Sequence, residues 1–251
     1  IGTLELAQKR PTEAKKRYLD SLLIYHNLGE DRAEAIIWHQ LGRVAQETRD
    51  WDEAERCYRQ SLAIKERLGD KALAATTCNQ LAIVAEGASR PAQAERWYRR
   101  ALDYLVELAD PGAQAKVYNN LANLLLAAYT GPDGAARPDL AAAEAYARRA
   151  VGIMEALNDS SQQIWVPYGR LAEIAERRGD TAAARAWRRR EQETFAAFPG
   201  ALTYIQRFQP LIASVAAAGA GNFDARTQVR DSLPQWKTQG GEWAQLALAF
   251  E

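Results

Sequence analysis

The amino-acid sequence predicts an all-α solenoid of antiparallel helical hairpins, about six of them in 251 residues. Three observations predict this fold. Similar blocks recur about every 40 residues, two kinds of block alternate, and one kind ends each time in a similar turn signal. The composition agrees, because 47% hydrophobic and 25% charged residues suit amphipathic helices that pack against one another in water.

The two alternating blocks predict two helices, named here B and A. The B blocks occupy 11–30, 51–70 and 91–110, and the A blocks occupy 31–50, 71–90 and 111–130. In the second B block, Ala54, Tyr58 and Leu62 recur near the helical period, and no proline interrupts them. Each A block with the B block after it therefore predicts one helical hairpin.

Each B block ends in a turn signal that also begins the next helix. The signals are Leu28-Gly29-Glu30, Leu68-Gly69-Asp70, Leu108-Ala109-Asp110 and Leu157-Asn158-Asp159. Glycine or asparagine suits the left-handed residue that follows a helix, and the side chain of aspartate can cap the helix that comes next. These signals therefore predict a turn between each B helix and the A helix that follows it.

The 40-residue spacing of the blocks is interrupted after residue 130. An insertion at 131–140 contains two glycines and two prolines, which predict a surface loop, and the next B helix begins near Ala141. A fifth hairpin follows, with its A helix around 162–178 and its B helix around 181–195. A degenerate sixth pair is predicted at about 202–218 and 223–235. This divides the chain into a repeat array at 1–200 and, at 201–251, a degenerate terminal repeat with the start of a truncated further helix.

The spacing of the large and small residues resembles the tetratricopeptide repeat. The residues that carry the resemblance are Trp38, Leu41, Gly42, Ala45, Ala54, Tyr58 and Ser61. The long repeat, with Asn-Gln-Leu-Ala at 79–82 and Asn-Asn-Leu-Ala at 119–122, resembles the branch found in kinesin light chains and bacterial signalling ATPases. That resemblance implies a right-handed superhelix with a concave groove lined by the A helices.

The resemblance also implies where a ligand would bind. With Leu41, Leu81 and Leu121 as anchors that face the B helices, the residues on the opposite side of each A helix line the groove. The candidate ligand-binding residues are His39, Arg43, Asn79, Ile83, Glu86, Lys116, Asn119 and Asn123. The resemblance implies that Asn79, Asn119 and Asn123 clamp a peptide backbone; alternatively, these asparagines bond neighbouring helices or water.

Other chemistry finds little support in the sequence. The two histidines, His26 and His39, lack a partner at zinc spacing, and no Ser/His/Asp set or cofactor motif can be assembled. We therefore expect no enzyme activity, no metal and no cofactor. Lys plus Arg equals Asp plus Glu, at 32 each, which argues against nucleic acid and an anionic membrane as partners.

The ends of the sequence suggest a larger protein. Ile1-Gly2 aligns with Leu41-Gly42 inside an A helix, and an apolar stripe at 243–250 is cut off at the last residue. With two cysteines and no signal-peptide pattern, we expect a cytoplasmic fragment with an effector domain upstream.

The predicted function is a protein-binding or peptide-binding scaffold that serves as the sensor or regulatory arm of a signalling protein. The alternatives are an assembly scaffold that self-associates and, less favoured, a helical-repeat RNA binder.

Overall fold

The computed structural model describes residues 11–127, 139–158 and 163–197, and these residues form nine helices and no strand. The B helices are α1 (Pro11–Leu28), α3 (Trp51–Arg67), α5 (Pro91–Glu107), α7 (Leu140–Leu157) and α9 (Thr181–Ala197). The A helices are α2 (Asp31–Glu47), α4 (Lys71–Gly87), α6 (Pro111–Leu126) and α8 (Trp165–Arg177). The predicted all-α solenoid of helical hairpins is confirmed, although its sixth pair lies outside the described residues.

Consecutive helices pack on one another throughout the described array. The A helices α2, α4 and α6 each pack on the B helix that follows, and the B helices α1, α3, α5 and α7 each pack on the next A helix. Helix α8 contacts α9 through the stacked rings of Tyr168 and Trp187. The anchors Leu41, Leu81 and Leu121 and their counterpart Leu171 in α8 are all buried. The largest cluster of buried residues runs from α2 to α6, and Tyr146 of α7 packs against it. The hydrophobic core therefore continues from one repeat into the next instead of closing within a hairpin.

A small residue after each leucine anchor lets the two helices of a hairpin approach closely. A Cβ atom added to Gly42 would lie 2.8 Å from ring carbons of Tyr58, a distance at which one of the two must move. The same position holds Ala82, Ala122 and Ala172, each fully buried. Close packing between the two helices of a hairpin thus explains why a small residue follows the leucine anchor in each repeat.

Aspartates cap most of the described helices. The carboxylates of Asp50, Asp70, Asp110, Asp139 and Asp180 each accept a hydrogen bond from the backbone N–H three residues later. Asp70 and Asp110 fulfil the predicted role, and Asp159 lies outside the described residues. The remaining predicted signal ends at Glu30, which makes no side-chain cap.

Left-handed residues end helices of both kinds. Gly29, Gly69 and Asn158 have positive φ, as predicted, and Ala109 adopts the same conformation with φ 50°. The A helices α2, α4 and α8 end in the same way, at Arg49, Ser89 and Gly179. The turn geometry is thus common to these repeats even where the sequence offers no glycine or asparagine.

Helix α7 begins one residue earlier than predicted. Its first residue is Leu140 because Asp139 caps it, so the last residue of the predicted 131–140 loop is helical. Residues 131–138 lie outside the described part of the chain. Contacts divide the chain into units 1–194 and 195–251, and α1 to α8 belong wholly to the first unit.

Candidate binding groove on the A helices

A cavity of about 700 Å³ opens on the face shared by three successive A helices. Its described lining comes from α4 (Ala75, Thr76, Asn79), from α6 (Ala113, Lys116, Val117, Asn119, Asn120), from the first turn of α8 (Val166, Pro167) and from Gln163, two residues before α8. Leu105 of α5 and Met154 of α7 complete the lining from the B helices. This cavity is referred to below as the groove.

The repeat explains why these residues meet. Thr76, Lys116 and Val166 occupy one position in three A helices, five residues before the leucine anchor of each. Because the anchors point to the B helices, this position faces the open side. Of the residues predicted to bind a ligand, the structure places Asn79, Lys116 and Asn119 in the lining of this cavity.

The asparagines of the groove are only partly used within the fold. Asn120 donates from Nδ2 to Oδ1 of Asn79 over 3.2 Å, which joins α6 to α4. The Oδ1 atom of Asn119 is buried and accepts no hydrogen bond from the described residues. A buried acceptor without a donor costs about 1–3 kcal/mol, so a ligand N–H that reached this oxygen would bind favourably.

Lys116 gives the groove its charge. It is exposed, and it is the only charged side chain among the described residues that line the cavity. The remaining polar lining consists of a hydroxyl group and carboxamides, which can donate and accept hydrogen bonds without carrying charge. The groove therefore suits a polar backbone better than a cationic ligand.

Two of the predicted ligand residues are used inside the protein instead of lining the groove. The His39 ring lies edge-on to Tyr58, with centroids 5.0 Å apart, and its Nδ1 is 3.5 Å from the Thr77 hydroxyl. Burial, helped by Lys65, lowers the pKa of His39 to about 4, so the ring is neutral at neutral pH.

Glu86 has a comparable internal partner. Its carboxylate accepts a hydrogen bond from the Tyr98 hydroxyl, and burial raises its pKa. One repeat earlier, Gln46 accepts from Tyr58 over 2.9 Å in the same arrangement. This position therefore fastens an A helix to its own B helix.

The other predicted residues also lie outside the groove lining. Arg43 is exposed and donates to Gln40 over 3.3 Å, while Ile83 packs against the main core cluster. Asn123 is half-buried one turn beyond Asn119.

Two residues that line the groove, Leu105 and Met154, were not among those predicted from the sequence to bind a ligand. Leu105 and Met154 stand on B helices, each eleven residues after a fully buried alanine, Ala94 or Ala143. Their common register is the signal that could have identified them.

The described residues offer no other obvious chemistry. They hold no group of three His, Cys, Asp or Glu side chains able to bind a metal ion, and none of their helices is long and apolar enough to cross a bilayer. Burial raises the pKa of Cys57 to about 11 and that of Cys78 to about 12, so both remain protonated thiols at neutral pH.

Comparisons with known proteins agree with this architecture. The Tetratricopeptide repeat family model matches residues 1–67 and 33–107. The crystal structure of BtubC (BKLC) from P. vanneervenii is similar at TM-score 0.68, with 23% identity over 79% of this chain and 78% of that one. No curated protein matches the sequence.

Two further solved structures share the fold at lower identity. One is a kinesin light chain-like protein from Podosopora anserina with nearly identical TPR-like repeats, at TM-score 0.62 and 14% identity over 78% of this chain and 92% of that one. The other is a Rap protein complexed with Competence and Sporulation Factor, at TM-score 0.63 and 16% identity over 99% of this chain and 70% of that one.

Proposed function

We propose that the chain binds an extended peptide in the groove, as a repeat scaffold of the tetratricopeptide type: residues 1–107 match that family model, and similar hairpins continue to residue 197. Repeats of this kind commonly serve as protein-interaction scaffolds. The observation that carries the proposal is the buried, unpaired Oδ1 of Asn119 in the lining of the groove.

The asparagines supply the two halves of a backbone clamp. Oδ1 of Asn119 has no hydrogen-bond partner among the described residues, and a rotation of its side chain toward the groove would let it accept a peptide N–H. Oδ1 of Asn79 is already engaged by Asn120, which leaves the Asn79 NH₂ group to donate to a peptide carbonyl. Donor and acceptor on successive A helices match the alternation of C=O and N–H along an extended backbone, and this match is independent of the ligand's side chains.

The apolar part of the lining gives the peptide a place for side chains. Leu105 and Met154 lie on the B helices, and Val166 lies on α8 at the other side of the cavity. An extended chain directs successive side chains to opposite sides, so alternate ligand residues would contact these apolar groups. Lys116 at the exposed rim would add a preference for acidic over basic ligands.

The test is a binding measurement with paired variants of α6. Peptides enriched on the wild-type protein from a random ten-residue library are titrated by calorimetry against Asn119→Ala and Asn123→Ala. We expect Asn119→Ala to lose about 1–3 kcal/mol of binding free energy with unchanged helicity, because the clamp acceptor is removed. Asn123→Ala removes the same amide one turn away, outside the groove lining, and should bind as the wild type does.

Equal affinities for wild type and Asn119→Ala would place the ligand on another face. Retention of an RNA oligonucleotide that weakens steeply with salt, with no peptide enriched, would favour nucleic-acid recognition instead.

We also propose that the repeats serve as the sensor or regulatory arm of a cytoplasmic signalling protein with its effector domain upstream. The length of the array supports this role, because a stack of hairpins can bind a ligand at one place and contact another domain elsewhere. The reading frame upstream of Ile1 tests it: an effector domain there would support the role, and a frame that encodes only further repeats would contradict it.

A further inference from the structure

A second cavity, of about 490 Å³, opens on two B helices and shares no described lining residue with the groove. Helix α3 supplies Glu55 and Arg59 to its lining, and helix α5 supplies Gln93, Arg96, Trp97 and Arg100. The described lining thus brings three guanidinium groups together with one carboxylate. This cavity is referred to below as the arginine pocket.

Two of the three arginines are held in place by the indole ring of Trp97. The guanidinium carbon of Arg59 lies 5.3 Å from the centre of that ring, and the guanidinium carbon of Arg100 lies 5.6 Å from it. Arg59 also donates to Glu55 over 2.6 and 2.9 Å. Arg100 donates to Glu66 over 2.7 Å. Because both side chains are already ordered, a ligand that bound them would lose little affinity to their immobilisation.

Helices α7 and α9 repeat this arrangement of an indole ring between two arginines. The guanidinium carbons of Arg148 and Arg190 lie 5.6 and 5.3 Å from the centre of the Trp187 ring. Arg148 pairs with Glu144 over 2.7 Å, and Arg190 pairs with Glu155 over 3.6 Å. The ring contacts and ion pairs are therefore a way of packing B helices that does not by itself indicate a ligand.

Arg96 has no counterpart in the arrangement on α7 and α9. Its position, two residues after a buried alanine, is taken by Ala186 in α9. Arg96 is exposed, and it makes no hydrogen bond, ion pair or ring contact with the described part of the chain. Helix packing therefore does not account for a third arginine at this place.

The carboxylate of Glu55 is already neutralised by arginines of the fold. Its Oε1 accepts hydrogen bonds from Arg59 and from Gln93, the latter over 2.6 Å. Its Oε2 accepts one over 2.6 Å from Arg90, which stands outside the described lining. Arg96 thus adds a positive charge to the pocket that no described carboxylate there neutralises.

From this juxtaposition we infer that the arginine pocket binds the phosphate group of a phosphorylated side chain in a partner protein. A phosphate monoester carries about −1.5 to −2 charges at pH 7 and three acceptor oxygens, which suit three guanidinium groups better than the two oxygens of a carboxylate do. Guanidinium groups also match the geometry of phosphate oxygens through paired N–H donors. The inference goes beyond the proposed function of the groove and does not depend on it.

The surroundings of the pocket favour a single phosphate group over a polyanion. Asp103 is exposed on α5 one turn beyond Arg100, and its carboxylate would repel the neighbouring phosphates of a nucleic acid or an anionic membrane surface. The whole chain carries 32 acidic and 32 basic residues, so no wider positive field would offset this repulsion.

The experiment compares phosphorylated peptides on matched variants. A ten-residue peptide library with a central phosphoserine or phosphotyrosine is enriched on the wild-type protein. The enriched peptides are resynthesised with the phosphate, without it, and with glutamate in place of the phosphorylated residue. Calorimetry measures their affinities for wild type, Arg96→Gln and Arg99→Gln. The Arg99→Gln control removes the same charge from the next residue of α5, which pairs with Glu95 over 2.6 Å and lies outside the described lining.

We expect the phosphorylated peptide to bind wild type about tenfold or more tightly than its unphosphorylated and glutamate forms. Arg96→Gln should abolish most of that difference, and Arg99→Gln should keep it. Asn119→Ala should keep it as well, because this residue lines the groove and not the arginine pocket. The urea midpoint of Arg96→Gln should equal that of wild type, since Arg96 has no partner in the described fold.

Several results would overturn the inference. They are enrichment of no phosphorylated peptide, an equal phosphate effect in wild type and Arg96→Gln, full affinity of the glutamate form, and a lowered urea midpoint of Arg96→Gln. Phosphatidylcholine vesicles that contain a phosphatidylinositol phosphate, and a single-stranded RNA, are tested in parallel. Binding of either that is lost in Arg96→Gln, with no phosphopeptide enriched, would assign the pocket to that ligand instead. None of these results decides the function of the groove, which the Asn119→Ala measurement tests separately.

Discussion

Truncation of one leucine anchor tests whether the A helices are held as described. Leu121 of α6 is fully buried in the largest core cluster. Leu121→Ala removes about three methylene equivalents, at about 0.8 kcal/mol each, or about 2.4 kcal/mol of transfer free energy. The cavity left behind adds to this loss, so we expect about 3–5 kcal/mol of destabilisation in total.

Urea unfolding followed by circular dichroism at 222 nm measures this loss. Val106→Ala on α5 is the matched control, because Val106 is 60% exposed and its truncation should cost less than about 0.5 kcal/mol. If Leu121→Ala unfolds at the same urea concentration as the control, the anchor does not face the B helix, and the assignment of the open face fails with it.

Two other predictions concern the packing and the pH dependence of the hairpins. Gly42→Ala should destabilise by about 1–3 kcal/mol in urea unfolding, because the new methyl meets a tyrosine ring. Gly152→Ala, with open space at its Cβ, should not destabilise, and equal losses would refute the explanation. Burial raises the pKa of Glu86, so its contribution to stability is present below the unfolded pKa and is lost as pH rises through the folded value. Glu86→Gln, which copies the residue at Gln46, should remove that dependence in thermal melts across pH 4–8; an unchanged slope would contradict it.

Most of the fold could be predicted because the same packing arrangement of two helices recurs in each repeat. Leucine anchors, small partners and B-helix tyrosines recur at fixed spacing, so the hairpins follow from sequence alone. The left-handed turns at Arg49, Ser89 and Ala109 could not be read in this way. Their conformation is imposed by the packing of the flanking helices, whereas the residue types themselves do not favour it.

The candidate site was predictable only in part. Register gives the direction of a side chain from its helix, which was enough to bring Asn79, Lys116 and Asn119 to one surface. The register does not reveal which side chains of the next helix lie within hydrogen-bond distance, and Glu86 accepts a hydrogen bond from the hydroxyl of Tyr98. Nor does it show that the ring of His39 settles against Tyr58. Such contacts depend on distances between helices that only the three-dimensional structure supplies.

The sharing of one groove among α4, α6 and α8 gives a ligand a mechanical part to play. A peptide that contacts all three helices would act as a strut between hairpins, and its length and stiffness would fix the angle at which they stack. Hairpins at either end of the strut would then move when it is inserted or removed. In such a solenoid, binding of a peptide would change the angle between neighbouring hairpins. Occupancy of the groove would therefore alter the pitch of the stack at a distance from the peptide.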